Sequence, residues 1–186
     1  ATPLHRLLSH EGTRRFLMAL RVPLGLALAL VLALNADDRW IGPGLLISGI
    51  GALGQLWCLA CVHKRKTLAI HGPYALVRNP MYLARYLVAA GALLIFGYPW
   101  LVAGFTVIYF VYMVTRVSRE EPRLRKAFGA PYDAYCEAVP RFFPRVRPLE
   151  GSRVLYANLQ WFRRNHGPLN ALCLAGAYAL ILILSR

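Results

Sequence analysis

Long apolar runs separated by short basic or turn-rich segments make up most of this chain. A helix crossing a bilayer needs about twenty mainly apolar residues, since each adds about 1.5 Å of rise against a hydrocarbon core about 30 Å thick. The pattern predicts five spans, at residues 16–34, 41–62, 81–96, 98–114 and 169–185. The third and fourth are joined only through Gly97, Tyr98 and Pro99, a connection short enough to force a helical hairpin. Within the second span Gly44, Ser48 and Ala52 recur every four residues, a small-residue stripe suited to close helix packing. Two further stretches suit helices lying in the membrane interface. One is residues 1–15, where His5, Arg6, His10, Arg14 and Arg15 stand among leucines; the other is Ser152 to Gly167, where aromatic and basic residues alternate. Arg21 and Pro23 interrupt the first apolar run, so it lacks the form of a cleavable signal.

Of the 186 residues, 58% are hydrophobic, and the mean hydropathy is +0.44. That excludes an ordinary soluble domain and indicates a single integral membrane domain over residues 1–186. The formal net charge is +14, but the basic residues cluster at the ends of apolar runs, as in His63-Lys64-Arg65-Lys66. This distribution argues against nucleic acid as a partner and for anionic lipid headgroups. It also orients the chain, with a cytoplasmic N-terminus, residues 63–80 and 115–166 inside, and the short loops at 35–40 and 97–99 outside. The four cysteines are scattered and imply no disulfide framework. Cys58 and Cys61 form a C-x-x-C inside an apolar helix, without the strand context of a redox motif or the further ligands of a metal site. Gly49 to Gly54 reads G-x-G-x-x-G, yet no strand precedes it as a dinucleotide site requires.

The polar exception to the apolar pattern is HGPYALVRNPMY, His71 to Tyr82. Gly72-Pro73 and Asn79-Pro80 both break regular structure, because proline removes a backbone donor and biases the preceding residue toward extended geometry. His71, Tyr74, Arg78, Asn79 and Tyr82 are thereby set in a shaped loop beside hydrocarbon, where an unsatisfied polar group costs roughly 2 to 7 kcal/mol. The segment reads as the entrance to an active site or as an ordinary basic loop between spans. Arg85, one turn into the third span, is expected to face a cavity or an anionic partner. The hairpin brings the chain back to the same side and sets Glu120 and Glu121 near this loop. Taken alone, these acids also fit a solvated helix end balanced by Arg119 and Arg123, and Tyr132 and Tyr135 also fit interfacial anchoring.

Four short runs are more informative together than singly. They are Arg78-Asn79-Pro80-Met81-Tyr82, Glu120-Glu121-Pro122-Arg123-Leu124, Phe128-Gly129-Ala130-Pro131-Tyr132 with Tyr135, and Val139-Pro140-Arg141-Phe142-Phe143-Pro144. In order, spacing and topology this set resembles the integral membrane methyltransferases that include isoprenylcysteine carboxyl methyltransferase and the phospholipid methyltransferases. The resemblance covers about residues 55–144 and departs from the family's usual R-H-P-x-Y at Asn79, which can share a hydrogen bond as a neutral imidazole does but takes no proton near neutral pH. It implies an all-α membrane fold without a Rossmann sheet, and an S-adenosylmethionine site built from segments 71–82 and 119–147. The expected cofactor contacts are His71, Tyr74, Arg78, Asn79, Pro80, Tyr82, Glu120, Glu121, Tyr132 and Tyr135, with an acid for the ammonium and donors for the carboxylate. Arg141 is expected to orient an anionic acceptor, with Arg85 and Phe142 beside it; no metal is implied. A lipid-tailed acceptor would enter from the bilayer and the cofactor from the cytoplasm. The acceptor expected first is an isoprenylcysteine-type carboxylate, with a phospholipid amine or a hydrophobic thiol or hydroxyl as alternatives. A non-enzymatic lipid-binding scaffold or carrier is the rival from another class.

Overall fold

The computed structural model describes residues 34–63 and 67–184, with isolated helical positions at 23, 27, 30 and 31. The interfacial stretch expected at 1–15 lies outside the described residues, as do most of the first expected span and Lys64 to Lys66. Every regular element described is helical: α1 (Asp38–Cys61), a 3-10 turn (Gly72–Ala75), α2 (Pro80–Leu94), α3 (Pro99–Phe128), α4 (Ala130–Ala138), α5 (Leu159–Arg164) and α6 (Gly167–Leu184). Helices α1, α3 and α6 are long and apolar enough to cross a membrane, and α2 is a shorter apolar helix. With 15 residues, α2 reaches only about 22 Å.

Packing begins at α1, which touches α2, the 3-10 turn, α5 and α6. The α1–α2 approach is close enough to demand glycine. A Cβ on Gly51 would stand 2.6 Å from the Val88 nitrogen, and one on Gly44 would stand 2.7 Å from the Gly91 carbonyl oxygen. Gly44, Ser48 and Ala52 are all buried, so the expected small-residue stripe is the face α1 turns to α2. The G-x-G-x-x-G run divides accordingly: Gly51 packs, while Gly49 faces open space. Inside this apolar layer Ser48 Oγ donates to the Val88 carbonyl at 3.2 Å and shares a 2.8 Å hydrogen bond with Tyr178 of α6, tying three helices together. At the far end Gly97 takes φ +75° in the turn between α2 and α3, pressed against Asp37. The Asp37 N–H donates to the Ile95 carbonyl at 3.0 Å, and its carboxylate caps α1 by accepting from Arg39 N–H.

The fourth span was expected at 98–114; the helix that carries it, α3, runs on unbroken for 30 residues, through Pro122, to Phe128. Proline forfeits one backbone hydrogen bond without ending the helix, and the stop comes at Gly129, whose φ of +61° suits glycine and whose N–H caps the Arg125 carbonyl. At about 45 Å, α3 exceeds the hydrocarbon thickness, so its last turns stand clear of the membrane. One expectation requires correction: Ser152 to Gly167 was expected as one interfacial helix, but it holds only the short helix Leu159–Arg164 before Gly167 opens α6. Asn158 caps that helix through its side chain, which accepts from Trp161 N–H at 3.1 Å. Residues 152–158 form a non-helical strap whose backbone bonds to other segments: Gly72 N–H to the Arg153 carbonyl at 2.8 Å, and Asn158 N–H to the Ala60 carbonyl at 3.0 Å.

Candidate active site

The loop after α1 is folded by its glycine and prolines. Gly72 takes φ +65° and lies against the Cys61 sulfur, where a Cβ would collide, and Pro73 opens the 3-10 turn. Residues 75–78 then run beside residues 140–149, joined by backbone bonds from Arg78 N–H to the Pro140 carbonyl (2.9 Å), Arg145 N–H to the Leu76 carbonyl (2.9 Å) and Leu149 N–H to the Ala75 carbonyl (3.0 Å). The Arg145 guanidinium adds a bond to the Ala138 carbonyl. Two segments distant in sequence are thereby held in register.

On this frame the acids and guanidiniums meet. Glu121 of α3 accepts from Arg78 at 3.2 Å, and from Arg141 at 2.8 and 3.0 Å through both carboxylate oxygens. Arg141 also donates to Ser118 Oγ at 2.9 Å and lies 5.2 Å over the Phe142 ring, which meets Phe110 edge-on. Asn79, non-helical before Pro80, donates from Nδ2 to the Arg141 carbonyl at 3.1 Å. Glu120 accepts from the Tyr82 hydroxyl at 3.0 Å and from Arg116 at 3.1 Å. Among the described residues Arg78 Nε is buried without a hydrogen-bond partner. An orphaned donor of that kind is costly unless something else meets it.

Helix α4 closes one side of the site. Tyr132 and Tyr135 are buried, and the Tyr135 hydroxyl donates to the Tyr74 carbonyl at 2.7 Å. Burial pushes both phenols above their ordinary range, with Cys136 adding to the effect on Tyr132. Burial likewise raises Tyr74, reinforced by Cys58 and Tyr135. All three remain protonated donors near neutral pH.

A cavity of about 710 Å³ opens between the 67–82 loop, α2, α3 and α4. Of the residues singled out from sequence, Tyr74, Arg78, Asn79, Tyr82, Arg85, Glu120, Tyr132 and Tyr135 line it. Glu121, Arg141 and Phe142 stand behind the wall, and Pro80 is buried at the start of α2. His71 lies apart, accepting from Arg153 N–H at 3.2 Å through Nδ1 and tilted against Tyr156. Sequence reasoning missed Arg116 and Ser118, and also the wall formed by Arg123, Leu124 and Phe128. Glu120, Arg123, Leu124, Ala127 and Phe128 fall at i, i+3, i+4, i+7 and i+8, one face of a helix. That spacing is readable only once α3 is known to continue through Pro122. Cys58 and Cys61 are buried behind the loop, and Cys61 Sγ donates to the Tyr156 carbonyl at 3.1 Å.

Comparison with known proteins agrees with this architecture. The phospholipid methyltransferase family profile matches residues 40–131. The chain is 30% identical to the cobalt-zinc-cadmium resistance protein CzcN of Cupriavidus metallidurans, over 87% of this chain and 79% of that protein. It is 29% identical to the nickel-cobalt-cadmium resistance protein NccN of Alcaligenes xylosoxydans xylosoxydans, over 69% of this chain, and spans only 63% of that protein's length. A 97-residue stretch, 52% of the chain, is 32% identical to the Delta(14)-sterol reductase LBR of Gallus gallus and covers 15% of it. No solved structure is a significant match. With its helical membrane core, its paired acids on α3 and these similarities, the chain belongs to the phospholipid methyltransferase family of integral membrane proteins.

Proposed function

We propose that the chain is an S-adenosylmethionine-dependent methyltransferase acting on a lipophilic acceptor with an anionic head, an isoprenylcysteine-type carboxylate being the class that suits it best. The observation that carries this reading is the composition of the cavity wall. One carboxylate, Glu120, faces three guanidiniums, Arg78, Arg85 and Arg123, next to apolar Met81, Leu124 and Phe128. S-adenosylmethionine carries an ammonium, a carboxylate and a flat adenine, and these residues fit it: Glu120 for the ammonium, the unpartnered Arg78 Nε for the carboxylate, and Leu124 with Phe128 for the base. When bound it supplies an electrophilic methyl on a sulfonium.

The remaining work falls to the chain's own side chains. Arg85 and Arg123 have no ion pair among the described residues, and two uncompensated cations favour an acceptor that brings negative charge. Tyr74, Tyr132 and Tyr135 offer neutral hydroxyls that orient without adding charge. Met81, Leu124 and Phe128 offer apolar surface beside the reactants, and holding two reactants in line at contact distance supplies most of the rate gain available to a displacement of this type. Arg141 acts as a positioning residue: through Glu121 it holds Arg78 in the wall. Residues 1–186 are read as one membrane domain whose cavity faces the cytoplasm, because the basic residues concentrate on the cavity side. The names of the two bacterial relatives refer to metal resistance and specify no methyl acceptor.

The test is calorimetric titration of the purified protein in detergent with S-adenosylhomocysteine, followed by a methyl-label transfer screen over prenylcysteine, phospholipid and hydrophobic thiol acceptors. Saturable binding with transfer to the carboxylate acceptor supports the reading. Transfer only to an amine or thiol replaces the acceptor class, and absence of binding leaves a lipid-binding scaffold or carrier.

A further inference from the structure

The strap between α4 and α6 presents a face that no other described part of the chain covers. Along residues 152–159 burial alternates: Ser152, Val154, Tyr156 and Asn158 are partly buried, while Arg153, Leu155, Ala157 and Leu159 are exposed. Leu155 is 96% exposed and Leu159 62%. The inward set is fastened, with the Tyr156 carbonyl accepting from Trp57 Nε1 at 2.9 Å and from Cys61 Sγ at 3.1 Å. The strap therefore cannot roll over, and its outward leucines have no alternative place to go.

Its depth is fixed by the same bonds. Asn158 N–H binds the Ala60 carbonyl, and Asn165 Nδ2 binds the carbonyls of Leu59 and Val62 at 2.8 and 2.7 Å, all at the end of α1. Helix α6 begins its own apolar run at Gly167. The strap and α5 thus lie against the ends of two helices long and apolar enough to cross a membrane, the place where an interface is expected. Arg153, Arg163 and Arg164 are exposed there and form no ion pair among the described residues. Apolar side chains set singly between arginines are the pattern of interfacial insertion rather than of a continuous protein-docking patch. None of these residues lines the cavity.

We propose that residues 153–164 form an anionic-lipid-binding surface separate from the cavity, with Leu155 and Leu159 inserted in the interface and Arg153, Arg163 and Arg164 on the headgroup phosphates. The test uses the full chain in nanodiscs of phosphatidylcholine with or without phosphatidylglycerol. A nitroxide is attached to a Leu155→Cys variant in a Cys136→Ser, Cys173→Ser background, Cys58 and Cys61 being buried. Stronger relaxation by oxygen than by a water-soluble nickel complex is expected, and the reverse, a strap lying in water and free for a protein partner, overturns the proposal. Retention of phosphatidylglycerol over phosphatidylcholine, read by native mass spectrometry, is expected to fall about fivefold for each of Arg153→Gln and Arg163→Gln. Unchanged retention in the double variant removes the headgroup site.

Discussion

Glu120 and Glu121 are neighbours in sequence with different duties. Glu121 is shared by two guanidiniums behind the cavity wall, whereas Glu120 lines the cavity and pairs with a half-exposed Arg116. Charge-assisted bonds that are largely shielded from water contribute about 1.5 to 3 kcal/mol, and exposed pairs far less. Glu121→Gln is therefore expected to cost about 2 kcal/mol of stability, lowering Tm by about 4 to 8 °C in a domain of this size, and to weaken S-adenosylhomocysteine binding through the freed Arg78. Glu120→Gln should weaken binding by about tenfold or more while moving Tm by less. Differential scanning fluorimetry beside calorimetry separates the two, and identical profiles would refute the division. The buried phenols give a pH dependence whose sign can be worked out. Tyr132 and Tyr135 titrate above their ordinary range when folded, whereas in the unfolded chain they begin to ionise near pH 10. Above about pH 10 the unfolded state holds fewer protons, so stability, level with respect to these groups below that point, declines as pH rises. Tyr135→Phe should flatten part of that decline in thermal melts between about pH 8 and 11.

At the scale of elements, glycine placement decides which helices can approach. A Cβ at Gly51 would clash with the Val88 nitrogen, the Ala84 carbonyl and the Leu87 Cβ, all under 3 Å, whereas Gly49, two residues earlier, faces nothing within 4 Å. Gly51→Ala is expected to destabilise by about 1 to 3 kcal/mol through overpacking, and Gly49→Ala to be neutral or slightly stabilising. Equal melts for the two would place the α1–α2 contact elsewhere. The close approach of α1 was legible in the sequence as the four-residue repeat of Gly44, Ser48 and Ala52, because close helix packing in a membrane leaves a compositional mark, but the separate role of Gly51 was not. Hydrophobic length likewise revealed α1, α2 and α6, and the polar loop drew attention to Arg78, Asn79 and Tyr82. The extent of α3 was not legible, since Pro122 is a breaker only on average and the helix beyond it is held by contacts that propensity does not register. The strap was misread for a related reason: alternating aromatic and basic residues carry no clear helical period, and Asn158 reads as a cap only once the helix start is known. The exchange of partners around Glu121 could not be read either, because nothing local in Arg141 shows that its guanidinium faces inward.

Seen whole, α1 has neighbours in α2, α5, α6 and the 3-10 turn, while among the described residues the apolar part of α3 packs along a seam with α2, with Phe110 reaching Phe142 as well. That seam is aromatic: Tyr86 stacks on Phe105, Tyr109 lies against both, and the Tyr109 hydroxyl donates to the Tyr82 carbonyl at 2.8 Å. Opening free energy follows the density of such contacts, so amides of α3 near Val107 and Ile108, both exposed on its outer side, should exchange hydrogen faster than those of α1 near Ser48. Hydrogen exchange of the protein in nanodiscs tests this, and uniform protection across both helices would contradict it. Glu120 stands on the same continuous helix as the aromatic seam, about three turns beyond Tyr109. The packing of α3 against α2 therefore bears on where the cavity's carboxylate stands, since seam and acid belong to one helix.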